Sequence, residues 1–566
     1  MTVADMTNEE TINLKIIATS DVHGFFLPYD FIEQRPTPGS LARVCSYVKK
    51  ERAKYGSNLI LIDNGDILQG QPICNYFNSI KPQSTNIASQ MLNYLGYDAC
   101  TIGNHDIETG HGVYDKWAGE TNCPVVAANI IDTASGKPYF KPYTMIERQG
   151  IRIAILGMVT PAVPNWLNES LWSGMRFESI ADSASKWVKL IREKEAPDLT
   201  IGLFHSGWNG GISTTHCNED EVERVAHQVE GIDVIFFGHD HTTRQATICN
   251  GDNSSVVCLN PSCDARAVAS AEIKVEKAGN KISSKRITGE IVDITNERAD
   301  VGFEMHFQQA RDETNDFCRR RIGLIESSIN TNDCFFGCAP FTDLIHNLQL
   351  AITHADISFN APLSFNSKIE KGNIRVSDMF KLYRYENQIY VVKMTGREIK
   401  DYLEMSYGLW VGTMASDEDH IMLMEKETKA GKVRYRFKNL TFNFDSAAGI
   451  DYDVDVTKPA GERINVKCMS GGGMFDYGAW YTVAMNSYRG NGGGELLTKG
   501  AGIPTTELPR RIVWQSTKDQ RQCLMEEIER MGTITPRANN NWRFMPLEWA
   551  GRAIERDRRL ISGSQP

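Results

Sequence analysis

The sequence predicts an α/β domain followed by a second, α+β domain. The chain has 566 residues, more than the roughly 250–300 residues at which a single hydrophobic core stops growing. In the first half, short apolar runs alternate with helical patterns, which is typical of a layered α/β domain. A polar and highly charged segment, residues 301–321, separates this alternation from a second region with a different pattern.

Six apolar runs in the first region have the length and composition of strands. They are residues 14–19, 59–62, 125–128, 151–156, 199–204 and 234–237. Helical spacing of apolar residues lies between them, as in residues 41–55 and 180–195. We therefore assign residues 1–300 to the first domain and expect the polar residues 1–13 to be flexible.

Charges dominate residues 301–321, which predict a linker helix. Residues 322–328 are assigned with it, as the hinge that a resemblance of the second region implies. The second domain is predicted at 329–550. It contains a helical run at 341–354 and strand-like runs at 388–394 and 440–444. The charged tail, 551–566, is expected to fray.

Composition excludes several classes of protein. The net charge of −10 argues against a surface that binds nucleic-acid polymers. No run of about 18 apolar residues predicts a membrane span, and the 13 scattered cysteines contain no CxxC pair for a structural zinc. The first 13 residues lack the features of a signal peptide, so the protein is either cytoplasmic or exported with its signal removed. The sequence leaves the oligomeric state open.

Polar motifs with metal-binding side chains follow four of these apolar runs and one further short run, residues 99–102. Because strands of layered α/β folds present ligands at their carboxyl ends, we expect these motifs to share one edge. Their Asp, His and Asn side chains suit two divalent cations such as zinc or manganese, and Asp66 is the natural ligand to be shared. Each motif alone is common in structural roles, whereas five in this order are not. The motifs are Asp21-Val22-His23, Asp63-Asn64-Gly65-Asp66, Gly103-Asn104-His105-Asp106, His205 and Gly238-His239-Asp240-His241.

This order of motifs resembles that of the calcineurin-like metallophosphoesterases. The resemblance implies a four-layer α/β/β/α domain, in which two packed sheets are flanked by helices. It also implies hydrolysis of a phosphate ester by in-line attack of a metal-activated water, with Asn104 and His105 beside the phosphate. One cation would be bound by Asp21, His23, Asp66 and His241, and the other by Asp66, Asn104, His205 and His239.

A catalytic imidazole needs a carboxylate that fixes its tautomer and orientation. Glu108, three residues after His105, is the candidate. In nucleotidase relatives the matching residue is commonly Asp, and in cyclic-nucleotide relatives it is commonly Asn. Glu108 keeps the carboxylate of the nucleotidase relatives on a side chain that is longer by one methylene group. The alternative is that Glu108 is a solvated turn residue.

Three stretches of the second region resemble the nucleotide-binding domain of the 5′-nucleotidase and 2′,3′-cyclic-nucleotide phosphodiesterase family. They are residues 383–403, 443–464 and 483–494. Members of this family clamp the nucleobase between two aromatic rings, and the matching residues are Phe444 and Tyr488. Phe444 could instead belong to the core, with Phe437 as the replacement. Asn360 and Arg489 complete the predicted substrate-binding set.

The chain departs from the 5′-nucleotidase pattern at two places. Asn360-Ala361-Pro362-Leu363 stands where many 5′-nucleotidases have Asn-Gly-Gly-Gly-Ile-Arg, and an Ala-Pro here is more similar to the cyclic phosphodiesterase branch. Gly494, followed by Glu495, replaces an Asp that would hold the ribose. We therefore predict a two-metal hydrolase of nucleotide phosphate esters, acting as a 5′-nucleotidase, a 2′,3′-cyclic-nucleotide 2′-phosphodiesterase/3′-nucleotidase, or both.

Two alternatives remain at this stage. One is a pyrophosphohydrolase of UDP-sugars or other nucleotides, and the other is an inactive module that binds nucleotides. Relatives in this family are usually exported to the periplasm or cell surface.

Overall fold

The chain divides into two units, which are described here from a computed structural model that covers residues 9–213, 217–251, 254–278, 281–429 and 432–563. The first unit comprises residues 1–164 and 168–318, and the second comprises 165–167 and 319–566.

Two β-sheets packed face to face form the centre of the first unit. Their strand orders are β17-β16-β1-β4-β5 and β14-β15-β13-β10-β8-β7, and their facing sides share one core that includes Ile16, Ile62, Ile153 and Leu203. The strands are β1 (Glu9–Thr19), β2 (Tyr29–Asp30), β3 (Arg35–Pro36), β4 (Leu59–Asp63), β5 (Ala99–Cys100), β6 (Ile130–Asp132), β7 (Tyr143–Arg148), β8 (Ile151–Val159), β9 (Met175–Phe177), β10 (Leu199–His205), β11 (Gly210–Ser213), β12 (Asn218–Asp220), β13 (Val234–Phe237), β14 (Thr243–Cys249), β15 (Ser255–Pro261), β16 (Ala267–Ala278) and β17 (Lys281–Asp293).

Helices pack on the outer faces of both sheets, so the four-layer prediction is confirmed. The first helix packs on β1 and β4, and its hydroxyl cap, Ser40, accepts the N–H of Arg43. The sixth helix packs its apolar side on the outer face of β8, and both helices have the predicted bounds. The helices of this unit are α1 (Leu41–Tyr55), α2 (Pro72–Asn75), α3 (Ile87–Leu95), α4 (Asn104–Glu108), α5 (His111–Glu120), α6 (Ile180–Glu195), α7 (Val222–Gln228), α8 (Val301–His306) and α9 (Gln308–Arg319).

The predicted flexible start, residues 1–13, is wrong for residues 9–13, while residues 1–8 lie outside the described part. β1 begins at Glu9 and pairs antiparallel with β16. The reason is its alternating pattern, which buries Ile12 and Leu14 in the core. The predicted strand at 125–128 forms only isolated bridges, from Val125 and Val126.

The predicted linker helix is two helices, α8 and α9, that meet at the buried Phe307. The ring of Phe307 packs on Phe303, with 4.7 Å between centroids. The hinge near 322–328 stays a prediction, although its first residues belong to a strand. Residues 321–325 form a strand between two neighbours of a three-stranded sheet, so hydrogen bonds on both sides hold this segment in the second unit.

The second unit is built around a five-stranded sheet and a large aromatic core. The sheet order is β26-β20-β29-β23-β30, and Tyr407, Trp410 and Tyr452 lie in the core. The strands are β18 (Arg321–Ile325), β19 (Ile329–Asn330), β20 (Ile357–Asn360), β21 (Lys368–Ile369), β22 (Gly372–Arg375), β23 (Gln388–Thr395), β24 (Met424–Lys429), β25 (Lys432–Phe437), β26 (Ser446–Ala448), β27 (Ile450–Asp455), β28 (Ile464–Met469), β29 (Trp480–Asn486), β30 (Ile512–Asp519), β31 (Thr533–Ile534) and β32 (Trp542–Met545). The helices are α10 (Pro340–Thr353), α11 (Val376–Leu382), α12 (Gly396–Trp410), α13 (Ser487–Gly490), α14 (Leu508–Arg511), α15 (Gln520–Met531) and α16 (Leu547–Ser562).

The predicted fraying of the tail is wrong as far as residue 562. α16 buries Ala550, Ala553 and Ile561 in the core of the second unit. The carboxylate of Asp557 is buried and accepts two main-chain N–H groups. Among the helices of the described residues, none combines the length and the apolar composition that crossing a bilayer requires.

Candidate metal centre and active site

The five predicted motifs come together where their strands end. Nε2 of His205 lies 3.2 Å from Oδ2 of Asp66 and 3.1 Å from Oδ1 of Asn104. Oδ1 of Asp21 lies 3.3 Å from Nε2 of His241. Nε2 of His23 lies 3.0 Å from the same His241 nitrogen. The motifs therefore meet at one place, as their positions after the apolar runs predicted.

The backbone at five of the predicted ligand positions has left-handed φ angles. Left-handed φ angles are uncommon for residues other than glycine, and they cluster at functional sites. Here they are stabilised by bonds between the motifs, as when Asp21 N–H donates to the carbonyl of Gly65 and His23 N–H to that of Asp66. The predicted ligands with positive φ are Asp21 (50°), His23 (48°), Asp66 (56°), His239 (71°) and His241 (53°).

The ligand atoms fall into two groups in which all members lie within 4.8 Å of one another. One group is Asp21, His23 and His241, and the other is Asp21, Asp66 and His205. Asp21 belongs to both groups. Oδ2 of Asp66 also lies between them, because it is 3.9 Å from Nε2 of His23 as well as 3.2 Å from that of His205.

The donor set fits two divalent cations. Oδ2 of Asp66 is buried and makes no hydrogen bond within the described residues. Ring nitrogens of His205 and His23 face it at 3.2 and 3.9 Å, which is the arrangement expected for a carboxylate oxygen and imidazoles that share a cation. Burial alone would raise the pKa of Asp66, but His205 and His105 outweigh it and keep the pKa well below its usual range. Ionised carboxylates among imidazoles are ligands that zinc and manganese accept.

His239 differs from the other predicted ligands. Its ring lies beside that of His205, with centroids 5.5 Å apart, but its Nε2 is 3.0 Å from Oε1 of Glu219. The ligand atoms of Glu219, Asp220 and His239 form a third close group. Glu219 was not among the residues predicted from sequence, because it lies on the short strand β12 and no recognisable motif surrounds it.

Asp106 is a second residue to which the sequence prediction gave no role. Its buried carboxylate accepts the N–H groups of Asp66, Ile67, Leu68 and Gly103 at 2.7–2.8 Å. Burial, followed by the charge of Asp66, raises the pKa of Asp106 to about 6. Asp106 thus fixes the loop that carries Asp66. Its place as the fourth residue of the motif Gly103-Asn104-His105-Asp106 is the sequence feature from which this role could have been predicted.

His105 and Glu108 form the predicted pair. Nδ1 of His105 lies 2.6 Å from Oε2 of Glu108, one turn later in α4. Glu108 is buried, so the alternative of a solvated turn residue is wrong. Burial would lower the pKa of His105, but Asp66 and Glu108 outweigh it and raise the pKa to about 9. The His105 ring lies 5.5 Å from that of His23, at the edge of the ligand groups.

Phe444 does not have the position that the base-clamp prediction requires. Its ring is fully buried and stacks on Trp410, with centroids 5.4 Å apart and planes at 5°. The predicted strand at 440–444 is a short 3₁₀ turn, Thr441–Asn443. The alternative, Phe437, packs on Phe335 in the same core. The half-buried ring near Tyr488 is instead that of Phe442, at 6.1 Å between centroids.

Arg489 is a structural residue rather than a free cation for substrate. Its guanidinium is buried and binds Asp445 through Nε and Nη2, at 3.0 and 3.1 Å. Nη1 donates to Oδ1 of Asn443 and the carbonyl of Gly493, and Nη2 also donates to the carbonyl of Phe442. These bonds occupy the guanidinium, and they tie the segment of Phe442 to the glycine turn after Tyr488.

Two further positions bear on the predicted substrate site. Asn360, at the end of β20, is buried, and neither its side-chain nitrogen nor its oxygen has a partner within the described residues. At Gly494, φ is +68° and a Cβ would lie 2.2 Å from Nη1 of Arg489. An Asp at this position would therefore require Arg489 to move.

Comparison with known families agrees with this geometry. Residues 14–243 match the family model of the calcineurin-like phosphoesterases, and residues 321–499 match that of the 5′-nucleotidase C-terminal domain. The chain is a two-domain metallophosphoesterase of the nucleotidase family. Members of this family are phosphoester hydrolases, and the Asp/His groups found here suit the two divalent metals that they use.

Similar proteins extend over nearly the whole chain. The chain is 27% identical to the trifunctional nucleotide phosphoesterase YfkN of Bacillus subtilis over 96% of its own length, but spans only 40% of that relative. It is 26% identical to a 2′,3′-cyclic-nucleotide 2′-phosphodiesterase/3′-nucleotidase of Haemophilus influenzae, covering 95% of this chain and 88% of that one. A solved 5′-nucleotidase precursor from Thermus thermophilus has the same fold, with a TM-score of 0.64 at 19% identity, covering 94% of this chain and 100% of that one.

Proposed function

We propose that this enzyme hydrolyses nucleotide phosphate esters at a dinuclear metal centre, with 2′,3′-cyclic and 3′-phosphate esters as its preferred substrates. The observation that carries the proposal is the buried Oδ2 of Asp66, which makes no hydrogen bond within the described residues. It lies 3.2 Å from Nε2 of His205 and 3.9 Å from Nε2 of His23, and so faces imidazoles of the two ligand groups. The His105–Glu108 pair adjoins these groups, so a proton donor stands beside the cation ligands.

The side chains divide the chemistry between them. When bound, the cations lower the pKa of a water and neutralise charge on the phosphoryl oxygens. Asn104 supplies an amide for the same oxygens. His105 stabilises the transition state or protonates the leaving oxygen, and Glu108 holds its ring through Nδ1 so that Nε2 faces the reaction. Asp106 keeps the loop of Asp66 in place.

The second unit supplies nucleoside recognition in this proposal. Phe442 and Tyr488 take the place of the predicted Phe444 and Tyr488, because both rings are only half-buried and their centroids are 6.1 Å apart. Stacking of a base on such rings contributes about 1–3 kcal/mol. The amide of Asn360 needs partners, and a nucleoside offers both donors and acceptors.

Three observations favour cyclic and 3′-esters over 5′-esters. Ala361 and Pro362 replace the segment that carries a substrate-binding arginine in many 5′-nucleotidases. Gly494 leaves no room for the carboxylate that would hold the ribose. The Haemophilus influenzae relative, which aligns with almost the full length of both chains, is named for cyclic and 3′-esters.

A substrate panel tests this proposal. Purified full-length enzyme with Mn²⁺ or Zn²⁺ is given 2′,3′-cyclic, 3′- and 5′-nucleotides and a UDP-sugar, and products are quantified by phosphate release and chromatography. We expect the highest kcat/KM for the cyclic and 3′-esters. His105→Ala should lower kcat by about 10²–10⁴-fold, the range for loss of a general acid.

His111→Ala is the matched control, because His111 also pairs with a carboxylate, Asp115, but lies outside the ligand groups. Its kcat should equal that of the wild type. Turnover that survives His105→Ala, or a preference for 5′-nucleotides or UDP-sugars, would contradict the corresponding part of the proposal.

A further inference from the structure

We propose that Glu219 is a positioning residue of the metal centre, which accepts the Nε2–H of His239 and thereby presents Nδ1 of that ring to the second cation. The proposal rests on the assignment of His239 to that cation in the proposed function. Carboxylates that hold the far nitrogen of a ligating imidazole fix its tautomer and raise its basicity.

The carboxylate of Glu219 is held at both oxygens. Oε1 lies 3.0 Å from Nε2 of His239, and Oε2 accepts the main-chain N–H of Ile212 on β11 at 2.6 Å. With one oxygen anchored by the β11–β12 hairpin, the other points at a defined place. Glu219 is therefore suited to orient a ring rather than to move with solvent.

The main chain of Glu219 is also tied to the metal centre. Its carbonyl accepts the hydroxyls of Thr160 and Ser206, at 2.9 and 3.1 Å. Ser206 directly follows the ligand His205, and the N–H of Thr160 donates to the carbonyl of His205. The position of Glu219 is thus set by the strand end that carries a neighbouring ligand.

His239 is restrained independently at its backbone. Its N–H donates to the carboxylate of Asp21 at 3.1–3.2 Å, and its φ of 71° fixes the direction in which the side chain leaves. The ring then lies beside His205. With Nε2 directed to Glu219, Nδ1 is the ring nitrogen that we assign to the cation.

A third cation, held by Glu219, Asp220 and His239, is the competing explanation for this cluster. One oxygen of Asp220 already accepts the N–H of Gly207 at 2.6 Å. Asp220 therefore stabilises the main chain at Gly207, and this contact accounts for its position without a cation. The two explanations differ in the number of ions bound, so stoichiometry separates them.

Metal binding to the full-length chain tests the proposal without reference to turnover. Wild type, Glu219→Ala and Glu219→Gln are stripped with a chelator, and Mn²⁺ is titrated back by calorimetry, with stoichiometry checked by elemental analysis. We expect two ions per wild-type chain and a loss of about 10–100-fold in affinity at one site of Glu219→Ala. Glu219→Gln keeps an oxygen acceptor and should lose less.

Glu223→Gln is the matched control, because Glu223 lies four residues away on α7 and its carboxylate pairs with the side chain of Asn209. Its two affinities should match those of the wild type. Melting of the stripped proteins shows whether Glu219→Ala folds. If it does not fold, Glu219→Gln decides the question: the affinity of one site must fall while that of the other stays at the wild-type value.

Unchanged Mn²⁺ affinities in the folded variants would overturn the proposal. Three ions per wild-type chain that fall to two in Glu219→Gln would also overturn it, in favour of a third cation. The Mn²⁺ titrations do not depend on turnover. If the wild type released no phosphate in the substrate panel, the proposed function would be rejected, and the role of Glu219 would still be decided by the Mn²⁺ affinities.

Discussion

At the scale of single residues, the metal centre combines strained backbone with many compensating hydrogen bonds. A left-handed non-glycine residue costs on the order of 1–3 kcal/mol, and Asp21, His23, Asp66, His239 and His241 all have this conformation. The strain persists because neighbouring motifs hold it. For example, the carboxylate of Asp106 accepts four main-chain N–H groups, one of them that of the strained residue Asp66.

The convergence of the ligand motifs could be predicted because the sequence itself shows both the residue types and their place after apolar runs. The aromatic residue of the base clamp could not. Phe442 and Phe444 are two residues apart, and strand periodicity puts them on the same face. The 3₁₀ turn at Thr441–Asn443 separates them instead, so that one ring enters the core while the other stays half-buried.

This difference gives a prediction at the residue scale. Phe442→Ala should raise KM for a nucleotide substrate by roughly 5–150-fold, the equivalent of losing about 1–3 kcal/mol of stacking, with little change in the free energy of unfolding. Phe444→Ala should instead lower that free energy by about 3–5 kcal/mol, because it leaves a cavity beside Trp410. Steady-state kinetics and urea unfolding measure both quantities. The reverse pattern would mean that Phe444 is the clamp residue.

At the scale of elements, the two long helices α1 and α6 were predicted to the residue, whereas the ends of several other elements and the tail were not. The helices α1 and α6 have amphipathic patterns with serine caps that mark their starts. The prediction of a frayed tail depended on composition alone. A charged segment can still be ordered when its few apolar residues share a face, as Ala550, Ala553 and Ile561 do in α16.

The element-scale prediction concerns the attachment of α16. The buried carboxylate of Asp557 accepts the N–H groups of Ile421 and Met422 at 2.8 Å and also pairs with His420. Asp557→Ala leaves two buried N–H groups without an acceptor, so the free energy of unfolding should fall by roughly 2–6 kcal/mol, about 1–3 per group. Urea denaturation followed by tryptophan fluorescence measures the loss.

A control on the same helix separates this effect from a general sensitivity of α16. Glu555 is exposed and lies 3.8 Å from Arg559 in an exposed ion pair. Glu555→Ala should change the free energy of unfolding by less than about 1 kcal/mol. Equal losses in both variants would argue that α16 is held by its apolar face alone.

At the scale of the whole molecule, the described hydrophobic cores follow the division into two units. Two of them contain only residues of the first unit, and the aromatic core contains only residues of the second. All seven predicted metal ligands belong to the first unit. A cation that binds the folded state therefore stabilises one unit directly, and single-transition unfolding is not expected for such a chain.

Metal removal should act on one unit selectively. At a free Mn²⁺ concentration 100 times the dissociation constant, one bound ion stabilises the folded first unit by about 2.7 kcal/mol. Calorimetry of the full-length chain with Mn²⁺ or with a chelator should then show one transition that moves to higher temperature with metal and one that does not. Asp66→Asn removes the carboxylate that lies between both ligand groups, so its metal-dependent shift should disappear while the second transition stays in place. If both transitions of the wild type moved together, metal binding would have to stabilise the two units as one cooperative structure, and the separate cores would not determine how the protein unfolds.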